Sequence, residues 1–331
     1  MERILDAEKK EEDIEQTLRP QTLEEYIGQT EMKDNLRVFL KAAQIREEAL
    51  DHVLLYGPPG LGKTTMAHIV ANEMGSNIKV ISGPAIEKIG DVATLLSSLE
   101  ENDVLFIDEI HRIPKFVEEV LYSAMEDLVL DIMVGDVNSR NIKIELPPFT
   151  LVGATTRYGD LTGSLRDRFG IVARLNYYSV AELKKIIKRT SRVLDVKIEK
   201  EAIENLAGRC RGTPRIANRL FKRVSDFALV LGDGLITNKI CEESLTKLQV
   251  DKYGLDSIDY NLLKAIVQKF NGGPVGVEAL AASIGEEVIT IEDVYEPFLL
   301  QNGFLQRTPR GRCVTEKTYR HLELENSDKL C

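Results

Sequence analysis

Nine consecutive residues have the types and spacing of a phosphate-binding loop. The segment GPPGLGKTT, residues 57–65, directly follows the apolar run VLLY and opens the helical pattern TTMAHIVANEM. Its glycines let backbone N–H groups wrap phosphate groups, and the following helix adds the positive end of its dipole. Lys63 is then placed to reach the β- and γ-phosphates, and the Thr64 hydroxyl to ligate Mg²⁺. The loop therefore predicts a nucleoside triphosphate site.

Two carboxylates follow a second apolar run. The segment DVLFIDEI places Asp108 and Glu109 at the C-terminal end of a predicted buried strand. Ligands of open α/β sheets bind at that edge, so both acids are expected to face the phosphate loop. Asp108 is the predicted magnesium partner, and Glu109 is the predicted base that polarises an attacking water.

His111 completes the segment DEIH, which permits a competing interpretation. Helicases of another superfamily carry a D-E-x-H box and a late arginine motif that QRTPRGR, residues 306–312, superficially resembles. Such helicases need a second parallel-sheet domain of comparable size, whereas residues 179–331 predict mainly helices. We therefore reject this class.

Polar residues after the next strand extend the predicted site. Thr156 lies just past the run TLVGATT, where its hydroxyl can reach the attacking water or the γ-phosphate. Arg166 and Arg168 follow in the loop SLRDRFG, and a guanidinium group suits transition-state charge on a phosphoryl group. Spacing alone leaves open whether these arginines serve their own site or that of a neighbouring subunit.

Another arginine is predicted at a helix start in the segment RGTPRIANR. Thr213 is the predicted N-cap, Pro214 the first helical residue, and Arg215 projects from the first turn. A cation there opposes the helix dipole, so an anion such as an ATP phosphate is the better explanation for it.

Near the C-terminus, three arginines bracket a turn in QRTPRGR: Arg307, Arg310 and Arg312. The turn contains no acidic residue, which favours contact with DNA phosphates. The preceding helical segment EEVITIEDVYEPFLL is acidic and unsuited to a DNA groove. The arginines are therefore expected to hold the DNA backbone without recognising its sequence.

Length and composition place these motifs in a multidomain protein. The chain has 331 residues, 43% hydrophobic and 29% charged, with a formal net charge of −10. That length predicts two or three domains, and the charge argues against general binding to polyanions. No stretch is apolar enough to span a bilayer, and the charged N-terminus does not resemble a signal peptide, so we expect a cytosolic protein. The four scattered cysteines do not suggest zinc or a disulfide framework.

The pattern of apolar residues changes twice along the chain. Residues 1–16 are charged and predict a mobile arm, and from about residue 23 to 178 short β-rich runs alternate with amphipathic helices. Helical patterns alone follow from Ser179. After VDKYGLDSID, three short helices and two strands around a turn predict a winged helix-turn-helix arrangement.

The chain resembles the RuvB family of bacterial Holliday-junction branch-migration motors, from TLRP at 17–20 through the predicted wing. The segments that carry the resemblance, in order, are GPPGLGKTT, LFIDEIHR, LVGATTR, LRDRFG, GTPRIANR, GGPVG and GFLQRTPRGR. It implies an α/β fold with an AAA+ P-loop parallel-sheet domain (1–178), a small helical lid domain (179–250) and a C-terminal winged helix-turn-helix domain (251–331). It also implies a homohexameric ring on duplex DNA, driven by ATP and Mg²⁺, that migrates four-way junctions in recombination and repair. The implied partners are RuvA and the RuvC resolvase, in the bacterial cytoplasm.

The resemblance also implies roles for individual residues. By motif, Lys63 and Thr64 belong to Walker A, Asp108 and Glu109 to Walker B, Thr156 to sensor 1, Arg215 to sensor 2, Arg166 to the nucleotide site and Arg168 to the trans-acting arginine finger. Further implied nucleotide contacts are Leu18, Arg19, Gly60, Gly62, Thr65, Glu126, Asp127, Leu128 and Tyr178.

Two further segments, a predicted hairpin and the loop that carries Arg168, give predictions of their own. Residues 128–149 predict an exposed hairpin whose apolar Ile132, Met133 and Val134 need a partner, and the resemblance implies that the hairpin docks on RuvA. Before the finger loop, Gly163 and Ser164 stand where the family is expected to have Ser-Pro, so one backbone constraint is lost.

Three alternatives remain beside this interpretation. A sliding-clamp loader would share the first two domains but end in a helical collar without a wing. A DNA-binding regulator that uses nucleotide only as a switch would not need Glu109 as a base. A protein unfoldase would need an aromatic pore loop, which the sequence does not suggest.

Overall fold

We describe a computed structural model of the chain. It covers the backbone of residues 17–134 and 140–323, and the side chains of these ranges except 132–142. The predicted arm at 1–16 therefore lies outside the described residues. The chain divides into two compact units, Met1–Asn176 and Tyr177–Cys331.

The first unit is built on a parallel sheet. Its strands are, in chain order, β1 Val53–Tyr56, β2 Ile78–Ser82, β3 Val104–Asp108, β4 Val129–Val134, β5 Arg140–Glu145, β6 Thr150–Thr155 and β7 Ile171–Arg174. Five of them form one parallel sheet in the order β2-β3-β6-β1-β7, and β4 pairs with β5 as a separate antiparallel hairpin. The central strands β3 and β6 are buried along nearly their whole length, as expected for continuous apolar runs covered on both faces.

Helices pack on this sheet. They are α1 Thr30–Arg46, α2 Lys63–Met74, α3 Ile89–Ser97, α4 Lys115–Glu126 and α5 Gly163–Arg166. The predicted parallel sheet and the predicted alternation of strands with helices are confirmed. Because parallel strands all end at the same edge, the segments after β1, β3 and β6 meet there.

The second unit begins with four helices: α6 Val180–Val193, α7 Lys200–Gly208, α8 Pro214–Leu231 and α9 Asn238–Lys247. The Ser179 and Glu182 side chains form a reciprocal capping box that starts α6. The helices bury one another through apolar faces, as their 3.6-residue pattern predicts.

A winged fold completes the second unit. Its elements are α10 Ser257–Phe270, α11 Val277–Ile284, α12 Val288–Thr290, α13 Glu296–Gln301, β8 Leu305–Thr308, β9 Gly311–Val314 and α14 Glu316–His321, with a π-helical turn at Ile291–Tyr295. Helices, β8 and β9 share one apolar core around Phe304, which is fully buried. The predicted fold class is confirmed, and the wing separates the chain from clamp loaders. Within the described residues, no helix has the length and apolar character needed to cross a membrane.

Candidate nucleotide site and nucleic-acid interface

Glycines at both ends of the phosphate loop let neighbouring protein atoms approach its backbone closely. Gly57 has φ +144°, and a Cβ there would lie 2.4 Å from the Leu175 carbonyl oxygen. Gly62 has φ +100°, and a Cβ there would lie 2.8 Å from the Tyr26 hydroxyl oxygen. Side chains are thus excluded at both ends of the loop, and α2 begins immediately at Lys63 with the free N–H groups of its first turn.

Lys63 is the cation of this loop. Its Nζ donates to the carbonyl oxygens of Gly57 at 2.8 Å and Pro58 at 2.9 Å, and the residue is only 8% exposed. Burial lowers the pKa of Lys63 to about 8, although the nearby Asp108 and Glu109 carboxylates favour its charged form. Because this ammonium group is poorly hydrated, contact with a phosphate oxygen would stabilise its positive charge.

The two acids lie at the carboxyl edge of the sheet, as predicted. Asp108 ends β3; its Oδ1 accepts a hydrogen bond from the Glu109 N–H at 2.9 Å, and its Oδ2 lies 3.5 Å from Thr64 Oγ1. Glu109 has a left-handed backbone (φ 49°), and its carboxylate pairs with the exposed Arg112 at 3.1 Å. A Cβ at Gly83 would lie 2.4 Å from the Glu109 carbonyl oxygen, so only glycine allows this close packing.

Thr156 follows the end of β6, as the sequence predicts, but the hydrogen bonds of the preceding residue, Thr155, were not predicted. Thr156 is half-buried, one residue beyond the end of β6. Thr155 is fully buried, and its Oγ1 bonds His111 Nδ1 at 3.0 Å and accepts the Arg157 N–H at 2.9 Å. Burial lowers the pKa of His111. His111 therefore links the chain after β3 to the end of β6, a role that its place in DEIH does not reveal.

The N-terminal segment packs against the phosphate loop through a residue that sequence reasoning did not identify. Tyr26 is 3% exposed, and its hydroxyl donates to the carbonyl of Leu61, inside the loop, at 3.1 Å. Leu18 is buried nearby in sequence, and the charge of Arg19 acts on His68 of α2, whose pKa is lowered mainly by burial. No spacing signal marks Tyr26, because its partner is a backbone atom.

The two arginines of the finger loop have different surroundings. Arg168 Nη1 donates to the Ser164 carbonyl at 2.6 Å, Nη2 pairs with Glu126 at 3.2 Å, and the guanidinium carbon lies 4.2 Å from the Tyr122 ring centroid. Arg168 Nε is buried with no hydrogen-bond partner among the described residues.

Arg166 instead lies over the ring of Tyr158, 5.2 Å from its centroid. The Tyr158 ring packs in turn on Tyr56, the last residue of β1, at 4.5 Å. This stack directs Arg166 towards the end of β1 from which the phosphate loop emerges.

Arg168 and Glu126 lie at the opposite edge of the sheet from their own phosphate loop. Val53 of β1 is in parallel register with Ile171 of β7, so residues just before 171 lie at the amino edge. His52 Nε2, at the same edge, contacts the carbonyl of Met125 at 3.2 Å. The phosphate loop follows the carboxyl end of β1, four residues and about 13 Å away.

A buried carboxylate supports the finger loop. Glu118, 4% exposed, accepts hydrogen bonds from Tyr122 at 2.9 Å and Thr162 at 2.8 Å. Thr162 Oγ1 also accepts the Leu165 N–H at 3.2 Å and so caps α5, which begins at Gly163. A side-chain cap therefore fixes the start of α5 directly before Gly163 and Ser164.

In the second unit, the predicted helix start and the predicted N-cap position of Thr213 are confirmed, although the Thr213 side chain makes no capping hydrogen bond. α8 begins at Pro214 with Thr213 at the N-cap position, but the Thr213 hydroxyl donates to the Cys210 carbonyl at 3.0 Å and does not accept a helix N–H. Arg215 occupies the first turn as predicted. Tyr178 is 6% exposed, and its N–H donates to the Gly212 carbonyl at 2.8 Å.

The wing presents two of its three arginines to the surface. Arg310 is exposed in the turn between β8 and β9 and has no ion pair with any residue in the described ranges. The Arg307 guanidinium is also largely exposed, and it approaches Glu292 at 3.5 Å.

Arg312 corrects the prediction that all three wing arginines face DNA. It is 6% exposed, with Nε and Nη2 bonded to the two oxygens of Glu296 at 3.0 and 2.9 Å and Nη2 bonded to Glu292 at 2.8 Å. The turn itself contains no acid, but the acidic helix before it supplies two. The acidity of that helix thus serves the wing, and Arg312 fastens β9 to it.

The predicted hairpin at 128–149 is present as β4 and β5, paired antiparallel with Ile132 opposite Ile142. The side chains of Ile132, Met133 and Val134 lie outside the described residues, as does the turn at 135–139.

Three family models match consecutive stretches of this chain. They are the Holliday junction DNA helicase RuvB P-loop domain at 18–175, the RuvB AAA lid domain at 178–251 and the RuvB C-terminal winged helix domain at 252–323. Together they span nearly all of the described residues.

Solved structures of RuvB proteins also match this chain. The chain is similar to a Thermotoga maritima RuvB described as a Holliday junction branch migration motor, with 54% identity and a TM-score of 0.86 over 93% of this chain and 99% of that chain. A lysine-to-arginine mutant of Thermotoga maritima RuvB matches with 55% identity and a TM-score of 0.87 over the same shares.

Proposed function

This chain belongs to the RuvB family of Holliday-junction DNA helicases, and we propose that it is an ATP-driven motor that translocates duplex DNA to drive branch migration in recombination and repair. The observation that carries the proposal is the combination in one chain of a phosphate loop with Asp108 and Glu109 at its edge and a winged fold with a basic turn. The first supplies hydrolysis, and the second supplies a grip on the DNA backbone.

ATP binds at the phosphate loop in this proposal. Gly60 and Gly62, with φ 77° and 100°, turn the backbone around the phosphates, the first-turn amides of Thr64 and Thr65 donate to them, and the Lys63 ammonium reaches the β- and γ-phosphates. Glu109 orients the attacking water and accepts its proton, and Thr156 hydrogen-bonds the water or the γ-phosphate. Leu18 and Arg19 contact the nucleotide from the N-terminal segment.

Thr64 and Asp108 are the residues that would hold Mg²⁺. Thr64 Oγ1 lies 3.5 Å from Asp108 Oδ2, and a hydroxyl beside a carboxylate offers the oxygen donors that this ion prefers. When bound, the ion neutralises charge on the β- and γ-phosphate oxygens. Asp108 is also held by the Glu109 N–H, which fixes its carboxylate plane.

The arginine finger acts on a neighbouring subunit. Arg168 lies at the amino edge of its own sheet, so its guanidinium group cannot serve the phosphate loop at the carboxyl edge. Glu126 is paired with Arg168, and Asp127 and Leu128 follow it, so these residues would flank the neighbour's nucleotide. A head-to-tail arrangement that closes into a ring satisfies every site, and we propose a homohexamer.

The second unit responds to the nucleotide in this account. Arg215, in the first turn of α8, would bind the γ-phosphate as sensor 2, and Tyr178 would flank the nucleotide. From the first unit, Arg166 of the loop SLRDRFG would also contact the nucleotide. Loss of the γ-phosphate would release Arg215 and shift the helices, which carry the winged fold with them.

Arg307 and Arg310 hold DNA in this proposal. Their guanidinium groups are exposed, so they can bind phosphates and release counterions without recognising bases. Arg312 keeps the wing in place beneath them.

We also propose two partner proteins for this chain. The hairpin of β4 and β5 would dock on RuvA, which recruits the motor to four-way junctions, and RuvC would resolve the migrated junction. The site of action is the bacterial cytoplasm.

A strand-separation assay tests the function. A synthetic four-way junction with Mg-ATP and RuvA should be migrated by this protein and left intact when ATP is replaced by a non-hydrolysable analogue. Intact junctions in the presence of RuvA and active hydrolysis would contradict the proposal.

A further inference from the structure

A buried ion pair joins the helical part of the second unit to its winged part. Arg211 lies in the loop between α7 and α8, with its side chain 10% exposed, and its Nη2 bonds the carboxylate of Asp259, which is 0% exposed. The same nitrogen lies 3.2 Å from Asp256, and Arg211 Nε donates to the Gly254 carbonyl at 2.6 Å. One guanidinium group therefore contacts the connecting segment and the first turn of α10.

Further contacts make this junction stiff. The Arg211 guanidinium carbon lies 5.1 Å from the ring centroid of Phe298 in α13, so the side chain also touches the helix before the wing. Gly254 has φ +82°, and a Cβ there would lie 2.4 Å from the Arg209 carbonyl oxygen. The connecting segment thus packs backbone to backbone against the loop.

The loop that carries Arg211 also leads into the proposed sensor 2. Arg211 and Gly212 both have left-handed backbones, with φ 52° and 69°, and Arg215 follows four positions after Arg211. The Gly212 carbonyl accepts the Tyr178 N–H at 2.8 Å, which ties the loop to the start of α6. A shift at Arg215 therefore moves Arg211 directly.

Stability alone is a poor explanation for the pair. Burial raises the pKa of Asp259 to about 7 even beside Arg211, and Asp259 Oδ1 is buried with no partner among the described residues. Apolar side chains of similar volume often serve a buried site as well as an ion pair does. What the pair provides and apolar packing does not is a directed link between two elements.

We propose that Arg211 is a positioning residue that couples the proposed sensor-2 loop to the DNA-binding winged fold, through its bonds to Asp259, Asp256 and the Gly254 carbonyl. The inference rests on the proposed function. Arg211 contacts neither the nucleotide nor the DNA; it makes the winged fold move together with the helices. Without Arg211, ATP hydrolysis continues, but fewer hydrolysis events lead to translocation of DNA.

The test compares ATP turnover with branch migration in the same sample. The variants are Arg211→Lys, which keeps the charge but loses the fork, and the double variant Arg211→Met with Asp259→Leu, which removes both charges and keeps the volume. Each should hydrolyse ATP and bind duplex DNA within about twofold of the parent, while junctions migrated per ATP fall about tenfold or more. The matched control is Lys184→Met with Glu204→Gln, an exposed ion pair between α6 and α7 at 2.9 Å, which should leave the ratio unchanged.

Two results would overturn the proposal. One is an unchanged number of junctions migrated per ATP in both variants; the other is an equal loss of hydrolysis and migration, which would assign Arg211 to folding or assembly.

A second measurement does not depend on the proposed function. With spin labels at Lys188 and Glu278 in a Cys331→Ser background, the distance distribution between helices and winged fold should broaden in both variants. An unbroadened distribution would exclude the link, whereas a parent protein that fails to migrate junctions would contradict the proposed function alone.

Discussion

Arg168 and Arg312 are both held by carboxylates of their own chain, and the difference between their partners separates a proposed reacting group from a structural one. Within the described ranges, Arg168 has one carboxylate partner, Glu126, whose side chain is 56% exposed, together with the face of Tyr122. Arg312 has two carboxylate partners, and one of them, Glu296, has a side chain only 3% exposed. A guanidinium group held by one hydrated acid can exchange it for a phosphoryl group, whereas one forked by the buried Glu296 cannot leave without stranding that carboxylate.

The largest expected effect concerns Arg168. Arg168→Ala should lower ATP hydrolysis by about 10³-fold or more, because transition-state charge on the phosphoryl group loses its guanidinium partner. Nucleotide affinity and thermal stability should change little. Kinetics together with equilibrium nucleotide binding check this; loss of binding would place Arg168 in its own subunit's site.

Arg312 should behave in the opposite way. Arg312→Ala leaves Glu296 buried without a partner, and we expect unfolding of the second unit to become easier by about 3–5 kcal/mol. Denaturant unfolding at neutral pH measures this. A stable variant with uniformly weakened DNA affinity would show instead that Arg312 reaches phosphate.

The carboxylates sharpen the same comparison. Glu296→Gln should destabilise the protein by about 2–3 kcal/mol, since a buried charge-assisted fork is lost. Glu126→Gln should cost at most about 1 kcal/mol, because the Glu126 side chain is largely exposed and its attraction to Arg168 is screened by solvent. Equal effects of the two substitutions on the unfolding free energy would remove the distinction.

A third cation, Lys63, is held by neutral carbonyls and adds a pH dependence. Because burial lowers the Lys63 pKa to about 8 and phosphates favour the charged form, nucleotide binding above pH 8 must take up a proton. ATP affinity should therefore fall as pH rises through 8, by up to about tenfold per unit. Calorimetry in buffers of different ionisation enthalpy measures the proton uptake; Lys63→Arg, which stays charged, should show none, and uptake in that variant would assign the proton elsewhere.

The smallest effect belongs to Arg310, which is exposed and pairs with no acid among the residues that the structure describes. Arg310→Ala should weaken binding to unrelated duplexes equally and reduce the slope of log affinity against log salt by about one. Salt titrations of two duplexes check this, and a loss confined to one sequence would indicate base recognition.

Sequence reasoning worked where a motif is contiguous or where a parallel sheet fixes the meeting point. Lys63 and Thr64 lie in one loop, and Asp108 reaches them because β1 and β3 end at the same edge. It failed where the partner is distant: Arg312 meets acids 16 and 20 positions away, in a helix whose acidity argued only against groove binding.

Contacts to backbone atoms, and contacts between residues far apart in the sequence, also leave no trace in spacing. Tyr26 supports the phosphate loop through the Leu61 carbonyl, and Arg211 finds Asp259 from 48 positions away. The edge on which Arg168 lies could be decided only once the register of β1 and β7 was known.

Subunit mixing tests most directly the central claim that each active site is completed by a neighbour. Arg168→Ala and Lys63→Ala should each be inactive, because one lacks the finger and the other the phosphate-binding ammonium. Mixed in equal amounts before ring assembly, they should regain ATP hydrolysis, since about a quarter of the interfaces combine an intact loop with an intact finger. A mixture as inactive as its two components would contradict the account.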